Sequence, residues 1–422
     1  MVAAVIPAYG QESENWPRFR GPNGAGLAPR ANPPTQWDDT TNVKWKTALP
    51  GPGSSSPVVW GDRVFVTCYS GYGVERPETG QKENLKRHLV CVDRATGKIL
   101  WDRAVPGVPE EDASSGNLME HGYASNTPAT DGKRVYAFLS KSGVYAFDFD
   151  GKELWHTSVG TMSDGRRWGS SGGVILYKDL VIVNAAYESR TIRALKADTG
   201  EEAWQIKSDR LESTYGTPTL VEQPDGTTQM LIGVPNNLWA FDPDTGKNLW
   251  YCGTGLGGNV APSVIVGDGL AFVFGGFPNT SSVAVKLGGS GDVTQTHLAW
   301  QGESGSYVPT PILLDGRLYW VDDNGFAVCA DARTGKNIYR QRLTPQGRGK
   351  PVYASVVLAG DRLYAVSRRA GTFVLRAKPE YELIATNVIA SDTSQFNATP
   401  AVVGNQLILR SDTHLYCIEA RP

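Results

Sequence analysis

The chain has 422 residues, of which 40% are hydrophobic and 20% charged, a composition that supports a large core and excludes gross disorder. Its 41 Lys and Arg against 43 Asp and Glu give a net charge of −2, which argues against a nucleic-acid-binding protein. No apolar run reaches the roughly 18–20 residues that a transmembrane segment needs. The 48 Gly, 26 Pro and 12 Trp indicate many turns between aromatic strands, which is typical of an all-β fold.

The first ten residues resemble the end of a signal peptide. Residues 2–8 are apolar, and Ala8-Tyr9-Gly10 fits the small-x-small pattern of a cleavage site before Gln11. The alternative is a disordered tail. We expect residues 1–10 to be a signal-peptide remnant of an exported protein, followed by an extended N-terminal segment at residues 11–41.

A short unit recurs along the rest of the chain. It is clearest at Asp242–Trp250, DPDTGKNLW, and it returns at Asp93–Trp101 and Asp331–Tyr339, with weaker copies at Asp148–Trp155 and Lys196–Trp204. Asp can accept local backbone hydrogen bonds and Gly can adopt a positive φ, so the unit suits a turn between two strands. Each copy follows a short run of alternating apolar residues, which predicts a strand before the turn.

A second anchor divides the chain into eight units. It is Thr-Pro or Ser-Pro before an apolar strand, with Ala before Pro262 and with Gly172 and Val356 in place of Pro, and after the first unit it recurs every 44 to 49 residues. This period predicts an eight-bladed β-propeller in which strands a and b follow the anchor, strand c precedes the turn and strand d carries the Trp. The second residue of the anchor is at Pro57, Pro128, Gly172, Pro218, Pro262, Pro311, Val356 and Pro400.

The last unit is one strand short. Thr399–Ala420 ends after strand c, and the missing strand d is predicted at Asn42–Lys46. An N-terminal strand that closes the last blade would remove both open edges of the ring. We therefore expect residues 42–422 to form a single eight-bladed propeller.

Aromatic and cysteine positions follow the same repeat. We predict that the strand d tryptophans dock between adjacent blades, with ligand stacking as the alternative for one of them. The docking residues are Trp45, Trp101, Trp155, Trp204, Trp250 and Trp300, with Tyr339 in blade 6.

The five cysteines argue against a full disulfide framework, because their number is odd. A Cys68–Cys91 bond across strands b and c of blade 1 is left open.

The motif Ala/Cys-x-Asp-x-x-Thr-Gly-x-x-x-Trp resembles the tryptophan-docking repeat of the pyrroloquinoline quinone (PQQ)-type propellers, the quinoprotein alcohol dehydrogenase-like superfamily, from Trp45 to Glu419. The leader Asn15–Pro22, NWPRFRGP, resembles the opening of exported bacterial PQQ-binding-like propeller repeat proteins. The resemblance implies a periplasmic or extracellular location. It also implies one of two activities: a quinone-dependent dehydrogenase, or a non-catalytic scaffold such as the propeller lipoprotein of outer-membrane protein assembly.

The dehydrogenases carry a vicinal Cys-Cys pair and a metal site, and this sequence has no vicinal cysteines and no recognisable metal-ligand set. We therefore expect no cofactor and no metal, and a non-catalytic propeller that binds a protein or a small ligand on its top face, around the central channel. A PQQ-dependent oxidoreductase with calcium is the alternative.

Candidate binding residues come from the loops that enter each blade, because the start of every strand a faces the channel. They suit a flat or sugar-like ligand, or else they plug the channel around ordered water. The long loop Asp102–Asn126 adds Tyr123 and Asn126, and Arg348 and Lys350 before blade 7 would bind anions or lie on a solvated surface. The predicted mouth residues are Ser54, Ser125, Trp168, Tyr215, Asn259, Tyr307, Tyr353 and Asn397.

A third hypothesis is a carbohydrate-active hydrolase or lyase. It would use His121 with a carboxylate, Glu120 or Glu212, as general acid and base. The alternative for His121 is a structural histidine held by hydrogen bonds.

Overall fold

The computed structural model describes residues 15–74, 80–344 and 349–420, so the predicted signal-peptide remnant at residues 1–10 lies outside the described residues. The described chain forms eight antiparallel sheets, each built on four strands. Neighbouring sheets meet through their first strands at the junctions of blades 1–2, 2–3, 5–6 and 7–8, and blades 8 and 1 meet in the same way, which closes the ring. The predicted all-β, eight-bladed propeller is confirmed.

The first four blades take their strands in chain order, a to d. Blade 4 has a fifth strand at its outer edge, Gly291–Asp292, which pairs in parallel with strand d. The strands are Val58–Trp60, Arg63–Ser70, Lys86–Asp93 and Ile99–Pro106 in blade 1; Ala129–Thr130, Arg134–Phe138, Val144–Asp148 and Glu153–Thr157 in blade 2; Ile175–Tyr177, Leu180–Ala185, Thr191–Lys196 and Glu202–Lys207 in blade 3; and Thr219–Glu222, Thr228–Val234, Asn237–Phe241 and Asn248–Gly253 in blade 4.

The next three blades follow the same order, and blade 7 gains the strand Leu27–Ala28 on the inner side of its strand a. The strands are Ile265–Gly267, Leu270–Gly275, Ser281–Lys286 and Leu298–Gln301 in blade 5; Ile312–Leu314, Arg317–Val321, Phe326–Asp331 and Asn337–Arg342 in blade 6; and Val357–Ala359, Arg362–Val366, Thr372–Arg376 and Leu383–Asn387 in blade 7.

Blade 8 joins the two ends of the chain. Ala401–Val403, Gln406–Arg410 and His414–Ile418 supply strands a to c, and Val43–Ala48 supplies strand d. The register places Trp45 opposite Cys417, as Trp101 lies opposite Cys91 in blade 1. The predicted closure by an N-terminal strand is confirmed.

Helices are short wherever the structure describes them. No helix in these ranges is long and apolar enough to span a membrane. The α-helices are Leu118–His121, Ala186–Ser189 and Thr294–His297, and the 3₁₀-helices are Lys82–Asn84, Ser140–Ser142 and Asp209–Leu211.

The repeated Trp and Gly take part in one contact between adjacent blades. In five blades the indole Nε1 of the strand d Trp donates to a backbone carbonyl in the c–d turn of the next blade, as from Trp155 to Ala197 O at 3.1 Å. The turn glycine makes room for the ring, because a Cβ on Gly200 would lie 2.5 Å from Cε3 of Trp155. The other four bonds are Trp45 to Arg94 O, Trp101 to Phe149 O, Trp204 to Pro243 O and Trp300 to Ala332 O.

Trp250 departs from this pattern. The c–d connection of blade 5 is a longer segment, which includes Gly291–Asp292 and the helix Thr294–His297, so the usual acceptor turn is missing. The indole of Trp250 instead donates to Oε1 of Gln229 in its own blade, at 3.0 Å. The ring stays fully buried among residues of blades 4 and 5, so it still packs between them.

The cysteines are buried, unbonded thiols. The strand register sets Cys68 opposite His88 and Cys91 opposite Phe65, so the two thiols are not cross-strand neighbours. The Cys68–Cys91 disulfide that the sequence left open is not formed.

The N-terminal segment crosses the propeller. Trp16 pairs with Val59 in blade 1, and Pro17 O accepts a hydrogen bond from Thr130 in blade 2. The chain then reaches blade 6, where Arg20 donates to Pro311 O at 2.6 Å. All these partners belong to strand a or to the anchor before it, so the segment runs along the channel side of the ring.

Beyond this crossing, the segment follows the face of blade 7. Its strand Leu27–Ala28 pairs with Leu358 and Ala359, and Trp37 stacks on Tyr364 with ring centroids 6.3 Å apart. The segment therefore leads from the channel to the outer edge, where it becomes strand d of blade 8.

Candidate functional site

One cavity lies at the mouth of the channel, with a volume of about 160 Å³. The start of every strand a faces the channel, so the loop before each anchor contributes one side chain. All eight predicted mouth residues line this cavity: Ser54, Ser125, Trp168, Tyr215, Asn259, Tyr307, Tyr353 and Asn397. Their convergence is as predicted, and their binding of a ligand stays a prediction.

A ring of hydroxyl side chains lies below the mouth residues. In five blades the hydroxyl accepts a hydrogen bond from a backbone amide of the preceding blade, as Thr399 Oγ1 does from Ser355 N at 2.9 Å and Ser355 Oγ from Thr310 N at 2.9 Å. Ser171 Oγ instead donates to Tyr215 O of the next blade at 3.3 Å. The Ser or Thr of the anchor therefore links adjacent blades by a hydrogen bond and also lines the cavity. The ring consists of Ser56, Thr127, Ser171, Thr217, Thr310, Ser355 and Thr399, with Ala261 at the equivalent place in blade 5.

Phe19 of the N-terminal segment also lines the cavity. It packs against blade 3, where a Cβ on Gly173 would lie 3.2 Å from Cβ of Phe19. Because the segment crosses the channel at strand a, Phe19 forms the floor of the cavity. The position of Phe19 was not predicted from the sequence, because it depends on contacts with residues far along the chain.

Aromatic rings surround the opening of the cavity. Trp168 stacks on Tyr215 at 6.2 Å and meets Phe277 edge-on at 5.6 Å, and Phe277 lies 5.6 Å from Tyr307. The Arg166 guanidinium lies 4.8 Å from the centre of the Trp168 ring and 5.5 Å from that of Phe277. We call these five residues the aromatic rim. Phe277, in the b–c loop of blade 5, is 41% exposed and was missed by the sequence analysis.

His121 holds the rim in place. Its Nε2 lies 2.6 Å from the Trp168 carbonyl oxygen and its Nδ1 lies 2.6 Å from Ser125 Oγ. Burial lowers the pKa of His121, so the ring is neutral at pH 7. A carbonyl only accepts, so Nε2–H donates to Trp168 and Nδ1 accepts from Ser125. Both ring nitrogens are thus engaged in positioning the mouth loops.

Each of the two candidate carboxylates is paired with an arginine. Glu120 Oε2 is 2.5 Å from Arg368 Nη2, and Glu212 Oε1 is 3.0 Å from Arg190 Nη2. Neither His121 nitrogen contacts a carboxylate. The hydrolase or lyase hypothesis requires a carboxylate within hydrogen-bond reach of His121. Glu120 lines the same cavity but is paired with Arg368 instead.

Three further candidates lie outside the cavity. Tyr123 is buried and donates to Asp112 O at 2.7 Å, and Asn126 Nδ2 joins blades 2 and 3 through Gly172 O at 2.9 Å. Lys350 Nζ lies 2.6 Å from Oδ2 of Asp323, a buried carboxylate that compensates its charge. The fourth candidate, Arg348, lies outside the described residues.

Buried ion pairs fix the long loop at residues 102–126. Arg87 binds Glu111 through two contacts of 2.5 and 2.8 Å, with both side chains almost fully buried. Lys141 Nζ lies 2.7 Å from Asp112 Oδ2. These acidic side chains therefore serve to order the loop rather than to present negative charge on the top face.

The cavity does not fit PQQ with calcium. PQQ carries three carboxylates, yet no Lys or Arg is among the described residues that line the cavity. Across the described ranges, no group of three His, Cys, Asp or Glu side chains could hold a metal ion. A polyanionic cofactor would therefore be buried without compensating charge.

Comparison with known proteins agrees with this architecture. A family model described as "Outer membrane protein assembly factor BamB" matches residues 85–341 and 237–378. The BamB of Burkholderia pseudomallei is 24% identical over 400 residues, which cover 89% of this chain and 87% of that protein. A quinoprotein ethanol dehydrogenase of Pseudomonas aeruginosa is 30% identical over 169 residues, which cover 36% of this chain and only 26% of the enzyme.

Solved structures show the same fold at low identity. BamB from Moraxella catarrhalis superposes with a TM-score of 0.58 at 14% identity, covering 90% of this chain and 97% of that chain. The quinohemoprotein alcohol dehydrogenase of Comamonas testosteroni gives a TM-score of 0.61 at 13% identity, covering 98% of this chain and 82% of the enzyme. Because the family model spans well over half of the chain, this protein belongs to the PQQ-like propeller family described as outer membrane protein assembly factor BamB.

Proposed function

We propose that this protein is an exported, non-catalytic scaffold that binds another protein through the top face of its propeller, in the assembly of outer membrane proteins. Membership of the BamB-described family supports the assembly role, and the relative from Burkholderia pseudomallei that covers most of the chain carries the same name. The resemblance of residues 1–10 to a signal peptide supports export.

The aromatic rim is the observation that carries the proposed binding face. Trp, Tyr and Arg are enriched at the energetic centres of protein interfaces, where rigid aromatic side chains bury area at low entropic cost. Trp168 is held through its backbone by His121, and Arg166 lies over its ring within cation–π distance. Phe277 extends from this cluster with 41% of its surface exposed. A partner that covers Phe277 would bury apolar surface and meet the exposed guanidinium.

The test is made in the bacterium that carries the gene. Deletion should lower the abundance of folded outer membrane proteins, and the wild-type chain should restore it. The double variant Phe277→Ala, Arg166→Ala should restore much less at equal protein level, because it removes the exposed part of the rim without touching the blades.

Leu383→Ala is the matched control, since Leu383 is also 41% exposed but lies in the outer strand of blade 7. It should restore outer membrane proteins fully. Full restoration by the rim variant, or a deletion without effect on outer membrane proteins, would refute the proposed function.

The catalytic alternative has its own test. Purified protein is titrated with PQQ plus calcium and followed by heat flow and quinone absorbance. We expect no saturable binding, because the wall of the cavity supplies no cation for the quinone carboxylates. Saturable binding near one to one would contradict the non-catalytic assignment and call for a screen of alcohol oxidation.

A further inference from the structure

We propose that Ser70 is an activated serine that takes an acyl group from an activated ester, because its hydroxyl stands at one end of a hydrogen-bonded Ser70–His88–Asp102 series. The three side chains come from strands b, c and d of blade 1, and none of them is among the described residues that line the central cavity. The proposal concerns the modification of one side chain, and it does not depend on the proposed scaffold function.

The strand register brings the three side chains onto one face of the sheet. Directly opposite residues share a face, as do residues two apart along a strand. Cys68 lies opposite His88, so Ser70, two residues after Cys68, is on the same face as His88. Val90 lies opposite Asp102, which places Asp102 on this face as well. Cys68 and Val90 pack in a core cluster shared with blade 8, so the series lies at the junction of the two blades.

The distances match those of a nucleophile, a base and a group that positions the base. Ser70 Oγ lies 2.8 Å from His88 Nε2, and His88 Nδ1 lies 2.9 Å from Oδ1 and 3.0 Å from Oδ2 of Asp102. A carboxylate only accepts, so Nδ1–H donates to Asp102. In the neutral ring, Nε2 then carries no proton and accepts a hydrogen bond from the Ser70 hydroxyl. A Ser-His-Asp triad is recognised by these roles rather than by positions in the sequence.

The burial of the three residues suits their roles. His88 is 6% exposed, so the protein holds its ring on most sides. Ser70 stands at the end of strand b and is partly exposed, so a reagent can approach it from solvent. The Asp102 carboxylate compensates for the positive charge that the His88 ring acquires when it takes the serine proton.

A second serine–histidine pair provides the comparison. Ser125 Oγ lies 2.6 Å from His121 Nδ1, but the other nitrogen of this ring donates to the Trp168 carbonyl. A carbonyl carries no full charge that could stabilise an imidazolium, and burial lowers the pKa of His121. Ser125 therefore has the histidine but not the carboxylate, and we expect it not to react.

The reaction balances within this set of groups. Ser70 Oγ attacks the carbonyl carbon of the ester, and the hydroxyl proton passes to His88 Nε2. The tetrahedral intermediate collapses as the bond between the carbonyl carbon and the leaving oxygen breaks. His88 gives its proton to that oxygen, so the products are an ester of Ser70 and a free alcohol.

The experiment uses the purified full chain and two probes. One is a fluorophosphonate, which an activated serine attacks at phosphorus with release of fluoride, and the other is p-nitrophenyl acetate, an activated ester. The rate of labelling and the labelled residue are followed by mass spectrometry of proteolytic peptides. We expect both probes to modify Ser70 and to leave Ser125 and the exposed serines Ser115 and Ser391 unmodified. Unfolding in urea should abolish the labelling, because it separates Ser70 from His88.

Variants assign the roles, and thermal unfolding checks that each variant is folded. Ser70→Ala should abolish labelling, whereas the matched control Ser125→Ala should be labelled as the wild type is. His88→Gln removes the base and should slow labelling by about 100-fold or more, since a general base contributes roughly 10²–10⁴-fold. Asp102→Asn removes the charge and should slow labelling by at least about tenfold, and Asp102→Glu, which keeps a carboxylate, should retain more of the rate.

Two results would overturn the proposal. One is that Ser70 in the native protein is labelled no faster than Ser115 or Ser391, which would make the hydrogen-bonded series purely structural. The other is that Asp102→Asn folds as the wild type does and is labelled at an unchanged rate. This variant keeps the second result decisive even if His88→Gln does not fold, because the Asp102 side chain is 33% exposed.

Discussion

The contact between each docking tryptophan and the next blade's glycine predicts a large effect for Gly200→Ala. Gly200 has a φ of +73°, and a Cβ there would lie 2.5 Å from one ring carbon of Trp155 and 2.7 Å from another. The left-handed backbone costs an alanine about 1–2 kcal/mol, and forcing a methyl into a packed contact costs about 1–3 kcal/mol. Together the substitution should lower the free energy of unfolding by roughly 2–5 kcal/mol.

Gly269→Ala separates the two contributions. Gly269 has almost the same φ, +76°, but a Cβ there meets no atom within 4 Å, so only the backbone cost of about 1–2 kcal/mol applies. The assay is thermal unfolding at matched heating rate. An unfolding entropy of roughly 2.1 cal/mol/K per residue makes each kcal/mol worth about 1 °C in a chain of this length. We expect a loss of roughly 2–6 °C for Gly200→Ala and about 1–2 °C for Gly269→Ala. Equal losses in the two variants would refute the claim that the glycine is required by the docked ring.

Three further predictions concern buried polar groups. Glu111→Gln leaves the guanidinium of Arg87 buried without a counter-charge and should destabilise the protein by about 3–5 kcal/mol in urea unfolding; a loss below about 1 kcal/mol would contradict a buried ion pair. Burial raises the pKa of Glu188 from 4.5 to about 7, so the folded state binds this proton more tightly than the unfolded state does. The free energy of unfolding should therefore fall by about 3 kcal/mol as pH rises from about 4.5 to about 7. Glu188→Gln stays neutral and should flatten that part of the pH profile of unfolding; an unchanged profile would assign the slope to another group. All five cysteines are buried, and burial raises the pKa of Cys91 to about 12; a thiol reagent at pH 8 should therefore modify none in the native protein and five after unfolding, whereas three after unfolding would indicate a disulfide.

The blades could be predicted from sequence because each depends on residues close together in the chain. The turn unit and the anchor repeat locally, and the docked Trp and the Gly beneath it belong to successive copies of one motif. Trp250 shows the limit of this reasoning. Its own copy of the motif is complete, but the acceptor turn it needs belongs to blade 5, where a longer connection replaces that turn.

In the candidate site, too, the residues placed by the local repeat could be predicted and the others could not. The eight mouth residues were found because each stands three or four residues before the anchor, and the symmetry of the ring places these equivalent positions around one channel. Phe277 was missed because it lies in a b–c loop that no other blade repeats. The pairing of Glu120 with Arg368 and the position of Phe19 under the cavity were also missed, since each joins parts of the chain far apart in sequence, which no local pattern encodes.

The shared blade 8 sets the order in which the molecule can be completed. Val43–Ala48 is synthesised among the first strands, yet its neighbour His414–Ile418 is among the last. Until that neighbour is available, Val43–Ala48 has no backbone partner, and the apolar face of blade 1 that blade 8 covers stays exposed. Unpaired strands and exposed apolar surface both favour association with other chains. Trp45 also lacks the rest of its blade during this time, so the junction with blade 1 at Arg94 can form only at the end. Ring closure therefore waits for His414–Ile418, and loss of this strand would leave the ring permanently open.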